Sequence, residues 1–236
     1  MSKLKALVFD LDGTLVDQEG AERDALQALF EQDIKLDEAP SFHVFLRDWR
    51  NVADEYLQRF LDNKMSFDEQ RIMRFQVLYQ KYGQDCPREL AEGLHQAYAA
   101  HYRGKWRAFE DTVPALNALK QAGYRLAIIT NGNGEQQRAK LTATGLDAWF
   151  ENVIVSEDIK IAKPDPGIYR ASEKALGLAP AELGYVGDRE AVDVAGAKAA
   201  GWTPIWLDRK GMPDALSQDP TVLIASDLLE LPKLLA

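Results

Sequence analysis

A single cysteine, Cys86, stands among the 236 residues. That rules out an intrachain disulfide and makes a reducing compartment the simplest setting. Long hydrophobic runs are missing too. The first apolar stretch, in MSKLKALVFDLDG at residues 1–13, is broken by Lys5 and closed by Asp10. It is too short for a secretory leader or for the roughly 18 apolar residues of a membrane span. Both absences predict a cytoplasmic protein with no membrane partner. Positive charge is scarce: 28 Lys and Arg face 37 Asp and Glu, a net charge of −9. No broad basic surface is therefore expected for a nucleic-acid polymer, although a small anion can bind where a local site opposes the global sign. Internal repeats and low-complexity tracts are absent as well. What the chain does have is 46% hydrophobic residues, enough for a real core, and a length suited to one or two domains.

Two rhythms run along it. Residues 6–9, Ala-Leu-Val-Phe, read as a buried strand. From about 16 to 105 strand patterns give way to apolar residues at helical spacing. The most regular stripe is Phe42, Phe45, Leu46, Trp49, Val52, Ala53, Tyr56, Leu57, Phe60 and Leu61, with weaker ones at Leu26–Phe30, Ile72–Tyr79 and Leu90–Tyr98. Four helices joined by short loops predict a bundle. Beyond 105, helices near 112–122, 134–144, 166–176 and 190–200 alternate with strands at 126–129, 153–155, 185–186, 204–207 and 222–224. That alternation predicts an α/β fold, a Rossmann-like parallel sheet with helices on both faces, and the first strand belongs to it. The expected organisation is a discontinuous core, 1–15 with 106–236, carrying an inserted α-helical cap at 16–105. The chain crossings at Leu15–Gln18 and Tyr102–Arg107 are the expected hinges.

Ligands of open α/β sheets bind beyond the carboxyl ends of the strands. Polar signals gather there: Asp10-Leu11-Asp12-Gly13-Thr14, Thr130-Asn131-Gly132, Lys163-Pro164-Asp165-Pro166, and Gly187-Asp188 with Asp193. Singly, each has a plain structural reading. Asp12-Gly13 and Thr130-Asn131-Gly132 suit turns, Asp165-Pro166 suits an N-cap followed by proline at N1, and Asp188 suits a cap. An EF-hand is excluded: counted from Asp10 the glycine comes fourth rather than sixth, and Ala21 stands where the bidentate glutamate belongs. Gly132-Asn133-Gly134 opens a helix as a dinucleotide fingerprint does, but Gln137 replaces the third glycine. Together the signals say more. Asp10, Asp12, Asp188 and Asp193 converge on one sheet edge, where four carboxylates repel one another unless a cation joins them. An all-oxygen donor set favours Mg²⁺. Lys163 adds positive charge and Thr130 a hydroxyl donor, which completes a phosphoryl site. Asp10 is the candidate nucleophile and Asp12 the candidate acid–base.

These residues resemble the haloacid dehalogenase superfamily, and within it the phosphatase branch. The D-x-D-G-T signature is matched by Asp10–Thr14, the family's Ser/Thr by Thr130, its lysine by Lys163, and its G-D-x-x-x-x-D motif by Gly187, Asp188 and Asp193. The resemblance spans essentially the whole chain. It implies a Mg²⁺-dependent phosphomonoester hydrolase that forms an aspartyl phosphate on Asp10. Asp12 would protonate the leaving group and then activate water. Mg²⁺ would be held by Asp10, the main-chain carbonyl of Asp12 and Asp188. Lys163, Thr130 and Asn131 would hold the substrate's phosphoryl group, with Asp193 behind the metal or Lys163. The cap would close over the site and exclude water. Dehalogenases of the superfamily use no metal and carry no acid at the place of Asp12.

Within the resemblance a phosphomutase is one alternative, although Gln18–Glu22 lacks that group's cap-entry motif. A phosphonatase would need a cap lysine, and nothing singles out Lys35, Lys64 or Lys81. A non-catalytic binding or regulatory protein is the rival from another class. The stretch Thr130–Tyr169 is similar to pyrimidine 5′-nucleotidases and acylneuraminate 9-phosphatases, which implies a small phosphorylated metabolite of the nucleotide or sugar-phosphate class. Arg23, Arg47, Trp49 and Arg50 are candidate substrate contacts in the cap, with Trp49 also on the apolar stripe.

Overall fold

The computed structural model describes residues 4–62, 64–211 and 219–235. The chain divides into two compact units, residues 1–18 with 106–236, and residues 19–105. The first unit is built on a six-stranded sheet of β1 (Ala6–Phe9), β2 (Arg125–Thr130), β3 (Asn152–Val155), β4 (Leu183–Gly187), β5 (Thr203–Leu207) and β6 (Leu223–Ala225). Every pairing is parallel and the spatial order is β3-β2-β1-β4-β5-β6. The last strand sits one residue later than its sequence pattern suggests.

Parallel strands covered on both faces read as continuous apolar runs, and β1 obeys: all four of its residues are buried. Leu7 and Phe9 join one core cluster with Leu126, Ile128 and Val186, closed by Ala115, Leu116 and Leu119 of α5 (Thr112–Gln121). Ala6 and Val8 join the opposite cluster with Ala127, Ile129 and Tyr185. There α8 (Pro166–Leu176) supplies Ile168 and Tyr169, and α9 (Ala195–Ala200) supplies Ala197. Two further helices, α6 (Gly134–Ala143) and α7 (Ser156–Ile159), follow β2 and β3, and α10 (Leu231–Leu234) closes the chain. The single helix expected over 190–200 is two pieces, a π-helical turn at Glu190–Val194 and then α9. The strand order reverses beside β1, so the crevice between the ends of β1 and β4 is the topological switch point where such sheets bind ligands.

The second unit contains α2 (Phe42–Leu61), α3 (Phe67–Lys81), α4 (Arg88–Arg103) and all but the first residue of α1 (Gln18–Gln32). Trp49 is buried at its centre, 5.0 Å from the Phe75 ring and 5.3 Å from that of Tyr98. The side chains of Leu57, Phe60 and Leu61, which extend the stripe in the sequence, lie outside the described residues. Among the described residues no helix is long and apolar enough to cross a membrane.

Within the first unit, the two segments that border the helical unit are tied together. Val16 bridges Ala108, the N–H of Phe109 donates to the carbonyl of Leu15 at 3.0 Å, and Arg107 pairs with Asp17 at 2.7 Å.

Candidate active site

The apolar run of β1 ends in Asp10, whose N–H donates to the carbonyl of Val186 at 2.9 Å and so registers it against the end of β4. The chain then turns at Gly13, with φ of +85°, a region that side chains rarely tolerate. A Cβ there would also come within 2.5 Å of Asp188 Oδ2, so glycine is required for both backbone and space. Arg209 pins the turn by donating to the carbonyl of Thr14 at 2.9 Å. Its guanidinium is held by both oxygens of Asp111, at 2.9 and 3.0 Å, and lies 3.9 Å from the centroid of the Phe109 ring.

Lys163 is the centre of the site. Its Nζ donates to Asp10 Oδ1 at 2.5 Å, Asp193 Oδ1 at 2.7 Å and the Tyr185 hydroxyl at 2.8 Å. Tyr185 passes its own hydrogen to the carbonyl of Ile129 at 2.9 Å. Asp193 uses its second oxygen to accept from the N–H of Arg189 at 3.0 Å, and Gly187 leaves it room, since a Cβ there would collide with the Asp193 side chain. All three charged groups are buried. Asp10 is raised to about 7: burial pushes it up most, Lys163 pulls it down, and Asp193 and Asp188 push it up. Burial also works against the Lys163 ammonium, but Asp10 and Asp193 outweigh it and hold Lys163 above the usual lysine range. Asp188 is raised by its own burial and by Asp193.

Asparagine 131 grips the main chain of Lys163 at two points. Its Nδ2 donates to the Lys163 carbonyl at 3.0 Å and its Oδ1 accepts from the Lys163 N–H at 2.8 Å. The structure thus places the Asn131 side chain on Lys163. Asp165 caps α8 by accepting from the N–H of Gly167 at 2.7 Å, ahead of Pro166. The start of α6, where a dinucleotide fingerprint would put pyrophosphate, is filled by the chain itself. Asn133 caps it, and Glu157 accepts from the N–H of Gly134 at 2.8 Å.

The Asp12 side chain faces a different pair of donors. Lys140 Nζ bonds its Oδ1, and Gln137 Nε2 donates to its Oδ2 at 2.9 Å. The same Nε2 lies 2.7 Å from Thr130 Oγ1, so one amide links Asp12 to Thr130. Sequence reasoning missed both Gln137 and Lys140. The available signal was polar residues three apart on one face of a helix that begins at the site, but Gln137 registers in the sequence only as an absent glycine.

Oxygen atoms of Asp10, Asp188 and Asp193 all lie within 4.8 Å of one another. The donor chemistry fits a hard divalent cation such as Mg²⁺: the set is all carboxylate, and burial raises both Asp10 and Asp188, the penalty that a bound cation relieves. Asp193 has both oxygens engaged by Lys163 and Arg189, which leaves Asp10 and Asp188 as the side chains best placed to face an ion. The Asp188 carboxylate receives a 3.4 Å contact from Thr14 Oγ1, and its main-chain carbonyl accepts from Trp206 at 3.1 Å.

In the helical unit the candidate contacts are otherwise occupied. Trp49 is core, with Nε1 3.4 Å from Glu22. Arg23 pairs with Asp24, Arg47 with the buried Asp48, and Arg50 with Glu19, at 3.0, 3.0 and 3.1 Å.

Comparison with known proteins assigns this parallel α/β sheet, with acidic residues and a buried lysine at its switch point, to a class of hydrolases. The family profile of haloacid dehalogenase-like hydrolases matches residues 4–201; the chain belongs to that family. Over 210 residues it is 30% identical to the glyceraldehyde 3-phosphate phosphatase of Methanopyrus kandleri, covering 87% of this chain and 84% of that protein. Over 247 residues it is 30% identical to (S)-2-haloacid dehalogenase 4A of Burkholderia cepacia, covering 100% of this chain and 96% of that protein. Among solved structures it resembles the magnesium-bound HAD-hydrolase YfnB of Bacillus subtilis, with a TM-score of 0.81 and 26% identity over 99% of each chain.

Proposed function

We propose that the chain is a Mg²⁺-dependent phosphomonoester hydrolase acting on a small phosphorylated metabolite. Relatives at the same identity include a phosphatase and a dehalogenase, so identity does not choose between them. The observation that carries the choice is Asp12, a second carboxylate oriented by Lys140 and Gln137 and joined through Gln137 to Thr130. A departing halide needs no proton, whereas a departing alkoxide does.

Asp10 attacks phosphorus, and the bond from phosphorus to the ester oxygen breaks. That oxygen takes a proton from Asp12. Water then attacks the phosphoryl group on Asp10 and gives its proton to Asp12, and the bond from phosphorus to Asp10 breaks, releasing phosphate. Lys163, fixed by Asp193, Tyr185 and Asn131, orients Asp10 and offsets the charge of the phosphoryl oxygens, while the Thr130 hydroxyl donates to one of them. Asp10, Asp188 and the main-chain carbonyl of Asp12 would hold Mg²⁺, which supplies electrostatic stabilisation of the transferring group. The unit 19–105 acts as a cap that gates entry and excludes water.

The test is hydrolysis of p-nitrophenyl phosphate with and without Mg²⁺, followed by intact-mass analysis of acid-quenched variants. Asp12→Asn leaves the nucleophile but removes the base, worth roughly 10²–10⁴-fold, so it should accumulate one phosphoryl group. Asp10→Asn should carry none. Turnover in excess chelator, or turnover of a 2-haloacid without phosphatase activity, would overturn this reading.

A further inference from the structure

We infer that Lys140 and Gln137 are positioning residues that set the hydrogen-bond polarity of the Asp12 and Thr130 side of the site; the inference rests on the phosphatase reading. An ammonium group has only hydrogens to offer. Facing Gln137 at 3.0 Å, Lys140 must therefore meet the amide oxygen, Oε1. That orientation turns Nε2 the opposite way, to Asp12 Oδ2 at 2.9 Å and Thr130 Oγ1 at 2.7 Å. Two consequences follow. The Asp12 carboxylate is held at both oxygens, by Lys140 on one and Gln137 on the other, which fixes its plane. The Thr130 hydroxyl accepts from Gln137, so its own hydrogen is directed elsewhere. The next acceptor recorded for it is the Asn131 carbonyl at 3.4 Å, a distance at which a hydrogen bond is weak. A phosphoryl oxygen is the partner that hydrogen is left for.

Core packing does not explain the pair. Gln137 and Lys140 are 2% and 1% exposed on α6, and burying an amide and an ammonium is unfavourable unless each finds specific partners. Both find them in the acid–base group and the phosphate-binding hydroxyl, with the Trp106 ring 5.8 Å from the ammonium on another side. The pair therefore governs how well Asp12 delivers its proton. It matters most when the leaving group is poor.

The experiment compares kcat/KM for p-nitrophenyl phosphate and phenyl phosphate, which differ in leaving group and little in shape. Lys140→Met keeps the aliphatic stem and frees the amide to flip. It should lower kcat/KM on phenyl phosphate about tenfold or more beyond its effect on p-nitrophenyl phosphate, within the range of lost acid–base catalysis. Lys140→Arg, which restores a pure donor, should recover most of that difference. Gln137→Glu puts acceptors where Asp12 and Thr130 require a donor. It should widen the same ratio, and it decides the matter if Lys140→Met does not fold. Equal losses on the two esters in both variants would overturn the positioning role while leaving the phosphatase reading intact. A wild-type chain that hydrolyses neither ester would overturn the phosphatase reading and this inference with it.

Discussion

Replacing Lys163 by methionine removes the one cation shared by two buried carboxylates. Lys163 is 6% exposed, Asp10 5% and Asp193 1%, and the ammonium sits 2.5 and 2.7 Å from their oxygens. Methionine fills much of the same volume, so packing changes little. What changes is that Asp10 and Asp193, with Asp188 beside them, lose their counter-charge. Breaking a buried pair by removing one partner costs about 3–5 kcal/mol, because the remaining charge stays desolvated. The two pairs share a single ammonium, so the cost is not doubled.

Asp10 can escape part of that penalty by binding a proton. In the metal-free native protein Asp10 already sits near 7, against 3.8 for an unperturbed aspartate, and losing Lys163 moves it higher. Above the variant's folded-state value Asp10 is ionised in the folded and unfolded chains alike and the full penalty applies. As pH falls from there toward 7, the folded variant takes up a proton that folded wild type and the unfolded chain, at 3.8, do not. The deficit relative to wild type should therefore narrow by up to about 1.4 kcal/mol per pH unit over that window and level off below 7, where wild-type Asp10 is protonated too. Urea unfolding of both proteins in chelator, at several values between pH 6 and 8.5, measures this. A deficit below about 1 kcal/mol, or one independent of pH, would refute the argument that Lys163 neutralises a desolvated acidic pair.

Two other outcomes are expected. Mg²⁺ competes with a proton for Asp10, whose metal-free value is about 7. Affinity measured by calorimetry should therefore strengthen by up to about tenfold per pH unit as pH rises toward 7 and level off above it; a flat profile would exclude Asp10 as a ligand. Gly13→Ala forces a side chain onto φ of +85° and against Asp188 Oδ2. Thermal unfolding should show a loss of about 1–3 kcal/mol, with weaker Mg²⁺ binding by calorimetry because Asp188 is displaced.

Much of this was visible in the chain itself. The run 6–9 reads as a buried strand because both faces of β1 are covered. The stripe from Phe42 predicts α2 because one face of that helix packs Phe45, Trp49 and Val52 into a core. Asp10, Thr130 and Asp188 announce themselves at strand ends, where side chains leave the apolar interior, and Lys163 in the Lys-Pro-Asp-Pro run ahead of α8. What stayed hidden was polar and long-range. Gln137 and Lys140 meet Asp12 across 125 and 128 residues; the helix near 134–144 is legible, but nothing local says that its buried face carries an amide and an ammonium group. The grip of Asn131 on Lys163 spans 32 residues, and Asn-Gly after a strand reads first as a turn. The division of 190–200 into a π turn and α9 accompanies the contacts of Asp193 with Arg189 N and, 30 residues away, Lys163, which apolar periodicity does not register.

The central position of β1 has a consequence for how the protein is made. On the ribosome, Ala6–Phe9 emerges ahead of the other five strands, yet its neighbours are β2, through Ala6 opposite Arg125, and β4, through Ala6 opposite Leu183. At about 5–20 residues per second the first partner arrives on the order of ten seconds later. The whole of 19–105 is translated in that interval. For that time the nascent chain carries an entirely apolar tetrapeptide whose sheet partners are not yet made. The polypeptide cannot assemble its acidic centre until Asp188 and Asp193 have followed β4 out, so the charge repulsion among those carboxylates is deferred until Lys163, translated earlier, is already present to meet them.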